Sequence, residues 1–275
     1  MPSKRRPKLG QHFLASAAYR RRIAEALDLR PDDLVMEIGA GRGAMTELLA
    51  ARAGHVIAIE LDSALASKLE EQLRADSRIE ILQTDILSAD LAALCRERQA
   101  EKCFIFGNLP YYITSPILHH LFAFWSCIRA MVLLVQREVA ERLTATPGTR
   151  AYGYLSVLTQ LYSQPRMVLG VPPGAFVPPP KVHSALVGFQ MRSRLPEWLW
   201  SAVPLPESST KRETQFLDFV KRCFVQKRKR LLNNLGGIHS RARVEKELAG
   251  LELPPNIRAE QLTLEQFASL FHRLR

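Results

Sequence analysis

The sequence predicts an α/β fold: a mainly parallel sheet covered by helices on both faces, with a small helical appendage at its C-terminal end. Three observations lead there. Short apolar runs alternate with amphipathic stretches from residue 16 to about residue 190, as strands joined by crossover helices do. The leading run, Leu34–Ile38, is almost continuously apolar rather than alternating, which suits a strand buried on both faces. After Met191 the rhythm stops, and a Pro-rich stretch leads into helical patterns alone.

Each element follows from its own pattern. Ser16–Leu29 spaces Ile23, Ala26 and Leu27 as a helix does, and Pro31 follows its end. Leu34–Ile38 ends in a glycine turn, after which Gly43–Ala53 sets Met45, Leu48 and Leu49 on one helical side. His55–Ile59 is a second strand, followed by Glu60-Leu61-Asp62 and a helix to about Ala75. Ile79–Leu82 and Cys103–Phe106 are the third and fourth strands. Thr114 or Ser115 is suited to cap the next helix, with Pro116 in its first turn. Met131–Val135 leads into a helix at Arg137–Leu143, Tyr154–Tyr162 reads helical, and Arg166–Val171 and Ala185–Met191 close the sheet. The expected division is a domain over 1–195 with a basic tail at 1–10, a Pro-rich linker at 196–211, and a basic all-helical domain at 212–275. Helical patterns in the last run over Thr214–Phe224, Lys227–Leu235, Ala242–Ala249 and Leu264–Leu274.

The charge is distributed unevenly. Of 275 residues, 38 are Lys or Arg and 27 Asp or Glu, a formal net charge of +11. Residues 1–30 carry 8 basic and 2 acidic side chains and residues 205–275 carry 14 and 8, leaving the middle near neutral. Basic ends on a neutral body point to a polyanionic partner. Lys4, Arg5, Arg6, Lys221, Arg222, Lys227, Arg228, Lys229 and Arg230 are the candidate phosphate contacts; the bland alternative is a solvated helix face. No apolar run approaches the roughly 18 residues of a membrane span, and the N-terminus lacks the apolar core of a secretory signal, so a cytoplasmic protein without membrane contact is expected. Cys95, Cys103, Cys127 and Cys223 form no CxxC pair, and adjacent His119 and His120 diverge by about 100° on a helix, so no metal site is expected. With no coiled-coil signal, a monomer is the default.

Glycines at Gly39, Gly41 and Gly43 sit where the first strand turns toward the first crossover helix, allowing close backbone approach to a ligand. Glu60 ends the second strand, where an acid accepts both hydroxyls of a ribose. Gly39-x-Gly41-x-x-Ala44 also meets the looser dinucleotide fingerprint, so NAD is the immediate rival, and a ligand-free tight turn the blandest reading. Two further positions decide between them. Asp85 follows the third strand, where its carboxylate can accept an adenine amino hydrogen, and Asn108-Leu109-Pro110-Tyr111 follows the fourth. Four strand ends thus present polar groups along one edge of the sheet, where open α/β sheets bind ligands.

This combination resembles the S-adenosylmethionine-dependent amino methyltransferases, with their Rossmann-like sheet. With Gly10-Gln11-His12-Phe13-Leu14 upstream, and with Val177-Pro-Pro-Pro-Lys181-Val-His183-Ser184, Phe224-x-x-x-Arg228-Lys-x-Leu231-x-Asn233-Asn-Leu235 and Arg258-Ala-Glu260-Gln-Leu262 downstream, the resemblance narrows to the ribosomal RNA adenine dimethyltransferases of the kasugamycin-sensitivity kind. It spans nearly the whole chain, with 192–211 least matched. Many relatives have Asn at His12, Leu at Met45 and Asn at Tyr112. The resemblance implies dimethylation of N6 on two adjacent adenosines near the 3′ end of 16S rRNA, in the immature small ribosomal subunit, with S-adenosylmethionine as cofactor. His12, Leu14, Gly39, Gly41, Glu60, Asp85 and Asn108 would contact that cofactor.

The chemistry explains the motif. An adenine amine is conjugated with its ring and is a poor nucleophile, so catalysis is mainly positioning and electrostatics. The Asn108 side-chain oxygen and the backbone carbonyl of Leu109 or Pro110 would accept the two N6 hydrogens. Tyr111 would stack on the target base held outside the RNA stack, and Phe176 would supply either a second stacking face or core packing. The nearest rival is the large-subunit rRNA dimethylase of macrolide resistance, whose members more often carry Ile at the Leu109 position. A non-catalytic RNA-docking assembly factor is a different class, disfavoured by intact Asn108, Tyr111 and Asp85. An NAD oxidoreductase has no recognisable hydride-side residues here.

Overall fold

The computed structural model describes residues 12–199, 209–227 and 229–275. In chain order its elements are β1 (Phe13–Leu14), α1 (Ala17–Glu25), β2 (Leu34–Ile38), α2 (Thr46–Ala50), β3 (His55–Glu60), α3 (Ser63–Leu73), β4 (Ile79–Gln83), α4 (Leu91–Glu97), β5 (Cys103–Asn108), α5 (Thr114–Ala123), β6 (Ile128–Gln136), α6 (Arg137–Leu143), α7 (Tyr154–Tyr162), β7 (Ser163–Val171), β8 (Phe176–Val177), β9 (Ser184–Met191), α8 (Ser209–Cys223), α9 (Leu231–Leu235), α10 (Arg241–Ala249) and α11 (Leu264–Leu274). The chain forms two compact units, residues 1–140 with 164–191, and residues 141–163 with 192–275.

The first unit is the expected α/β sheet. Seven strands lie in the order β4-β3-β2-β5-β6-β9-β7. β4, β3, β2, β5 and β6 are parallel, and β9 joins β6 antiparallel. β2 is buried along its whole length between β3 and β5, which is why it reads as a continuous apolar run broken only by Glu37. A two-stranded ribbon that local pattern did not indicate pairs β1 with β8, Phe13 opposite Val177 and Leu14 opposite Phe176. It ties the segment before α1 to the segment before the Pro-rich loop.

Several expected elements are shorter or new. The helix read over Gly43–Ala53 is only α2, because Gly39, Gly41 and Gly43 all take positive φ and delay helical geometry until Thr46. Thr114 does not cap α5 from outside: it is the first helical residue, and its hydroxyl donates to the Pro110 carbonyl. α4 has no counterpart in the sequence reading, although Asp90 caps it by accepting from the Ala93 N–H, and Leu91, Leu94 and Cys95 bury one face.

The second unit corrects the expected boundaries. Residues 141–163 pack with the C-terminal helices rather than with the sheet: the Tyr162 hydroxyl donates to Glu213, and the Gly148 N–H to the Glu260 carbonyl at 2.7 Å. The expected linker at 196–211 is structured at both described ends. Leu199 is buried and its carbonyl meets His272 Nε2, while α8 already begins at Ser209. Helix α9 starts at Leu231 rather than Lys227. Asn234 explains why: its amide donates to the Cys223 carbonyl and its oxygen accepts from the Gln226 N–H, so it closes the turn after α8.

Candidate active site

The carboxyl ends of β2, β3, β4 and β5 stand side by side in the first unit and open into one cleft, about 880 Å³ counted out to solvent. Gly39, Gly41, Glu60, Asp85, Asn108 and Tyr111 all line it. Six expected site residues, drawn from four strands far apart in sequence, therefore meet in one place.

The glycine turn is built around Glu60. This carboxylate is 4% exposed, and accepts from the Gly41 N–H at 2.8 Å and the Asp62 N–H at 2.9 Å, one on each oxygen. Each oxygen keeps a lone pair for a second donor. Asp62 in turn caps α3 through the Ala64 and Leu65 N–H groups, which holds the 60–62 corner in place. Gly41 has φ +59°, and a Cβ added there would lie 2.9 Å from the Phe13 ring. The turn therefore needs glycine both for its dihedral and for the approach of β1. Asp85 accepts from the Leu87 N–H through Oδ1, leaving Oδ2 without a partner among the described residues.

At the end of β5 the Asn108 amide nitrogen donates to the His12 carbonyl at 2.9 Å. That bond orients the amide and leaves Oδ1 as an acceptor. His12 lies alongside Tyr111, ring centroids 5.9 Å apart and 29° from parallel, and its Nδ1 meets the Pro178 carbonyl at 2.8 Å. The Pro110 carbonyl already receives the Thr114 hydroxyl and the Ile113 N–H, so of the two carbonyls considered, Leu109 has the unused one. The Tyr111 hydroxyl is 2.7 Å from Ser184 Oγ, and burial pushes its pKa up, so it stays a neutral phenol. Tyr111→Ala is expected to lower methyl transfer about a hundredfold, and Tyr111→Phe, which keeps the ring but drops the Ser184 bond, only severalfold. Equal losses in a methyl-transfer assay would argue for a role of the hydroxyl instead of the ring.

Two expected contacts lie elsewhere. Phe176 is 2% exposed and belongs to the apolar core with Leu14, Val171 and Ala175, so it packs rather than offering a stacking face. Leu14 is also a core residue and does not line the cleft; its neighbour Phe13 does. Pairing of β1 with β8 causes both outcomes, since it turns Leu14 and Phe176 inward together.

Among the basic residues, Lys4, Arg5, Arg6 and Arg228 lie outside the described residues. Lys221 and Arg222 end α8 and are exposed, as are Lys229 and Arg230 before α9. Lys227 differs: its Nζ donates to the Arg150 carbonyl at 2.6 Å, which commits one of its three donors. No group of three or more His, Cys, Asp or Glu among the described residues could hold a metal, and no described helix is long and apolar enough to cross a membrane.

Glu37 was not singled out, although an acid inside an apolar strand run is a visible signal. It is fully buried, accepts the Thr46 hydroxyl, and its pKa is raised to about 8 chiefly by burial. The folded chain thus holds a proton that the unfolded chain releases near 4.5, so stability falls as pH rises through that window. Glu37→Gln, which does not titrate, is expected to flatten the fall by on the order of a few kcal/mol between about pH 5 and 8. Urea unfolding at the two ends of that range measures it, and a decline as steep as the parent's would argue against the buried proton.

The sequence as a whole matches the family model for ribosomal RNA adenine dimethylase over residues 2–275. The chain belongs to the ribosomal RNA adenine dimethylase family. It is an rRNA adenine dimethyltransferase by that membership, with the Rossmann-like sheet the sequence implied. The ribosomal RNA small subunit methyltransferase A of Acidobacterium capsulatum is 44% identical over 272 residues, 98% of this chain and 92% of the relative. That of Koribacter versatilis is 40% identical over 281 residues, 98% and 95% of the two chains. Among solved structures, the 23S rRNA methyltransferase ErmE superposes with a TM-score of 0.71 at 29% identity, covering 95% of this chain and 99% of that one. A dimethyladenosine transferase from Plasmodium falciparum gives a TM-score of 0.77 at 23% identity over 94% and 96%, a likeness of fold. In this chain the glycine turn, Glu60, Asp85 and the Asn108–Tyr111 segment fall together in a single cleft.

Proposed function

We propose that this dimethyltransferase uses S-adenosylmethionine to convert two adjacent adenosines near the 3′ end of 16S rRNA to N6,N6-dimethyladenosine, during maturation of the small subunit and in the cytoplasm, acting as a monomer. The observation that carries the cofactor assignment is the donor and acceptor set of the cleft. Glu60 has one lone pair left on each oxygen for a ribose diol, Asp85 has a free oxygen for an adenine amine, and the Gly39–Gly41 backbone admits close approach. His12 borders the same cleft beside Asn108. When bound, the cofactor supplies an electrophilic methyl group on sulfur. The small-subunit assignment is supported by relatives so named at up to 44% identity, against 29% for the large-subunit enzyme.

The chain's residues then act by positioning. Asn108 Oδ1 and the Leu109 carbonyl accept the two N6 hydrogens, which localises the nitrogen lone pair and aims it. Tyr111 holds the flipped base through its ring. The monomethyl amine keeps one hydrogen, so in the second transfer only one of those two acceptors is used. No strong base is required, because the amine becomes acidic only as the new carbon–nitrogen bond forms, and neighbouring water takes the proton.

Incubation with labelled S-adenosylmethionine and either unmethylated small subunits or large subunits tests the reading. Label is expected in two adjacent adenosines of the small-subunit RNA; label in large-subunit RNA alone would overturn it. RNA is held in part by the exposed cations Lys221, Arg222, Lys229 and Arg230, which contact phosphates without reading sequence. Replacing these four with alanine is expected to weaken RNA binding about tenfold or more and to flatten its dependence on salt. A salt slope equal to the parent's would remove the patch from the RNA interface.

A further inference from the structure

A second cavity, of about 840 Å³ counted out to solvent in the same way, adjoins the cleft and shares Phe13, Gly39 and Asn108 with it. Its charged lining is Arg20 from α1, Arg42 from the glycine turn, and Glu37. Arg20 Nε is buried and has no hydrogen-bond partner among the described residues. Arg42 lies over the Phe13 ring, its guanidinium carbon 4.7 Å from the centroid, a position that leaves the edge of the guanidinium and its N–H groups unspent. Neither guanidinium joins an ion pair among the described residues. Glu37, the one acid on this lining, is already bonded to Thr46 and holds its proton at neutral pH. Two fixed positive charges therefore share a pocket without a counter-charge, and a buried guanidinium N–H without an acceptor is costly.

We propose that this cavity is an oxyanion site, in which Arg20 and Arg42 hold a carboxylate or phosphate group of a substrate whose reacting end lies at Asn108. A planar guanidinium fork suits either group. Gly39 and Asn108 line both spaces, so a group held here lies next to the cleft. The reaction has two substrates that carry such a group: the amino-acid carboxylate of S-adenosylmethionine and a phosphate beside the target adenosine. The proposal rests on the methyltransferase reading above.

Calorimetry with two nucleosides and RNA separates the sources. S-Adenosylhomocysteine carries the carboxylate; 5′-methylthioadenosine lacks it. If the carboxylate is the occupant, Arg20→Met and Arg42→Met each weaken S-adenosylhomocysteine about tenfold and leave 5′-methylthioadenosine unchanged, with Arg20→Lys intermediate. If a phosphate is the occupant, both nucleosides bind as in the parent while affinity for small-subunit RNA drops about tenfold and its salt slope shallows. Unchanged affinity for both S-adenosylhomocysteine and RNA would overturn the proposal, as would equal loss of the two nucleosides in variants that melt like the parent. A parent chain that binds neither nucleoside would instead refute the cofactor reading, and this site with it.

Discussion

An Asn108→Ala chain is expected to transfer methyl groups about a hundred to a thousand times more slowly than the parent while binding substrate RNA unchanged. The magnitude is that of removing one preorganised hydrogen-bonding group from a site where charge develops. Asn108 is well prepared for this task. Its nitrogen is spent on the His12 carbonyl, so the remaining oxygen cannot rotate away from the cleft without breaking that bond. Asn108→Asp retains an acceptor but sets a carboxylate oxygen against the His12 carbonyl, and is expected to lose activity nearly as far. Tritiated methyl transfer to unmethylated small subunits, beside filter binding of the same RNA, separates chemistry from docking. A rate within about threefold of the parent would exclude Asn108 from the reaction.

Loss of Glu60 has the largest expected effect on the cofactor. On the proposed cofactor reading, Glu60→Ala removes acceptors for both ribose hydroxyls, each a charge-assisted bond of about 1.5 kcal/mol or more, so affinity for S-adenosylhomocysteine is expected to fall about a hundredfold or beyond. It also frees the Gly41 and Asp62 N–H groups that shape the turn. Glu60→Gln keeps one acceptor but must turn an amide NH2 toward one of those N–H groups, and about a tenfold loss is expected. Calorimetric titration measures both, and an unaltered Kd in Glu60→Ala would move the ribose elsewhere.

Much of this site is legible in one dimension because open α/β sheets put function at strand ends. Once Leu34–Ile38, His55–Ile59, Ile79–Leu82 and Cys103–Phe106 are read as strands, the residues just past each are neighbours whatever the loops between them do. Gly39, Glu60, Asp85 and Asn108 were found in this way, and the cleft contains all four. The residues misjudged are those whose surroundings depend on pairing between distant segments. Leu14 and Phe176 lie more than 150 residues apart, and nothing in their local pattern shows that β1 and β8 pair and bury both. Glu37 would stand out only to a reader asking why an acid interrupts a buried strand.

The domain boundary failed for a related reason. Periodicity identifies α7 as a helix but not the unit it joins, and the Tyr162 hydroxyl at its end bonds Glu213, 51 residues later. The Asn233-Asn234 segment likewise reads as part of a helix with a basic start, until Asn234 is seen closing the turn after α8.

By itself the sequence determined the class of sheet, the order of the strand-end residues and the chemistry they can perform, because these follow from side-chain type and from periodicities of a few residues. The tertiary structure alone decided which way each group is committed. It spent the Asn108 nitrogen on His12 and the Pro110 carbonyl on Thr114, turned Phe176 into the core, and left Arg20 and Arg42 around a pocket without a counter-charge. Hydrogen-bond partners and burial are set by long-range packing, and packing is a property of the folded chain as a whole.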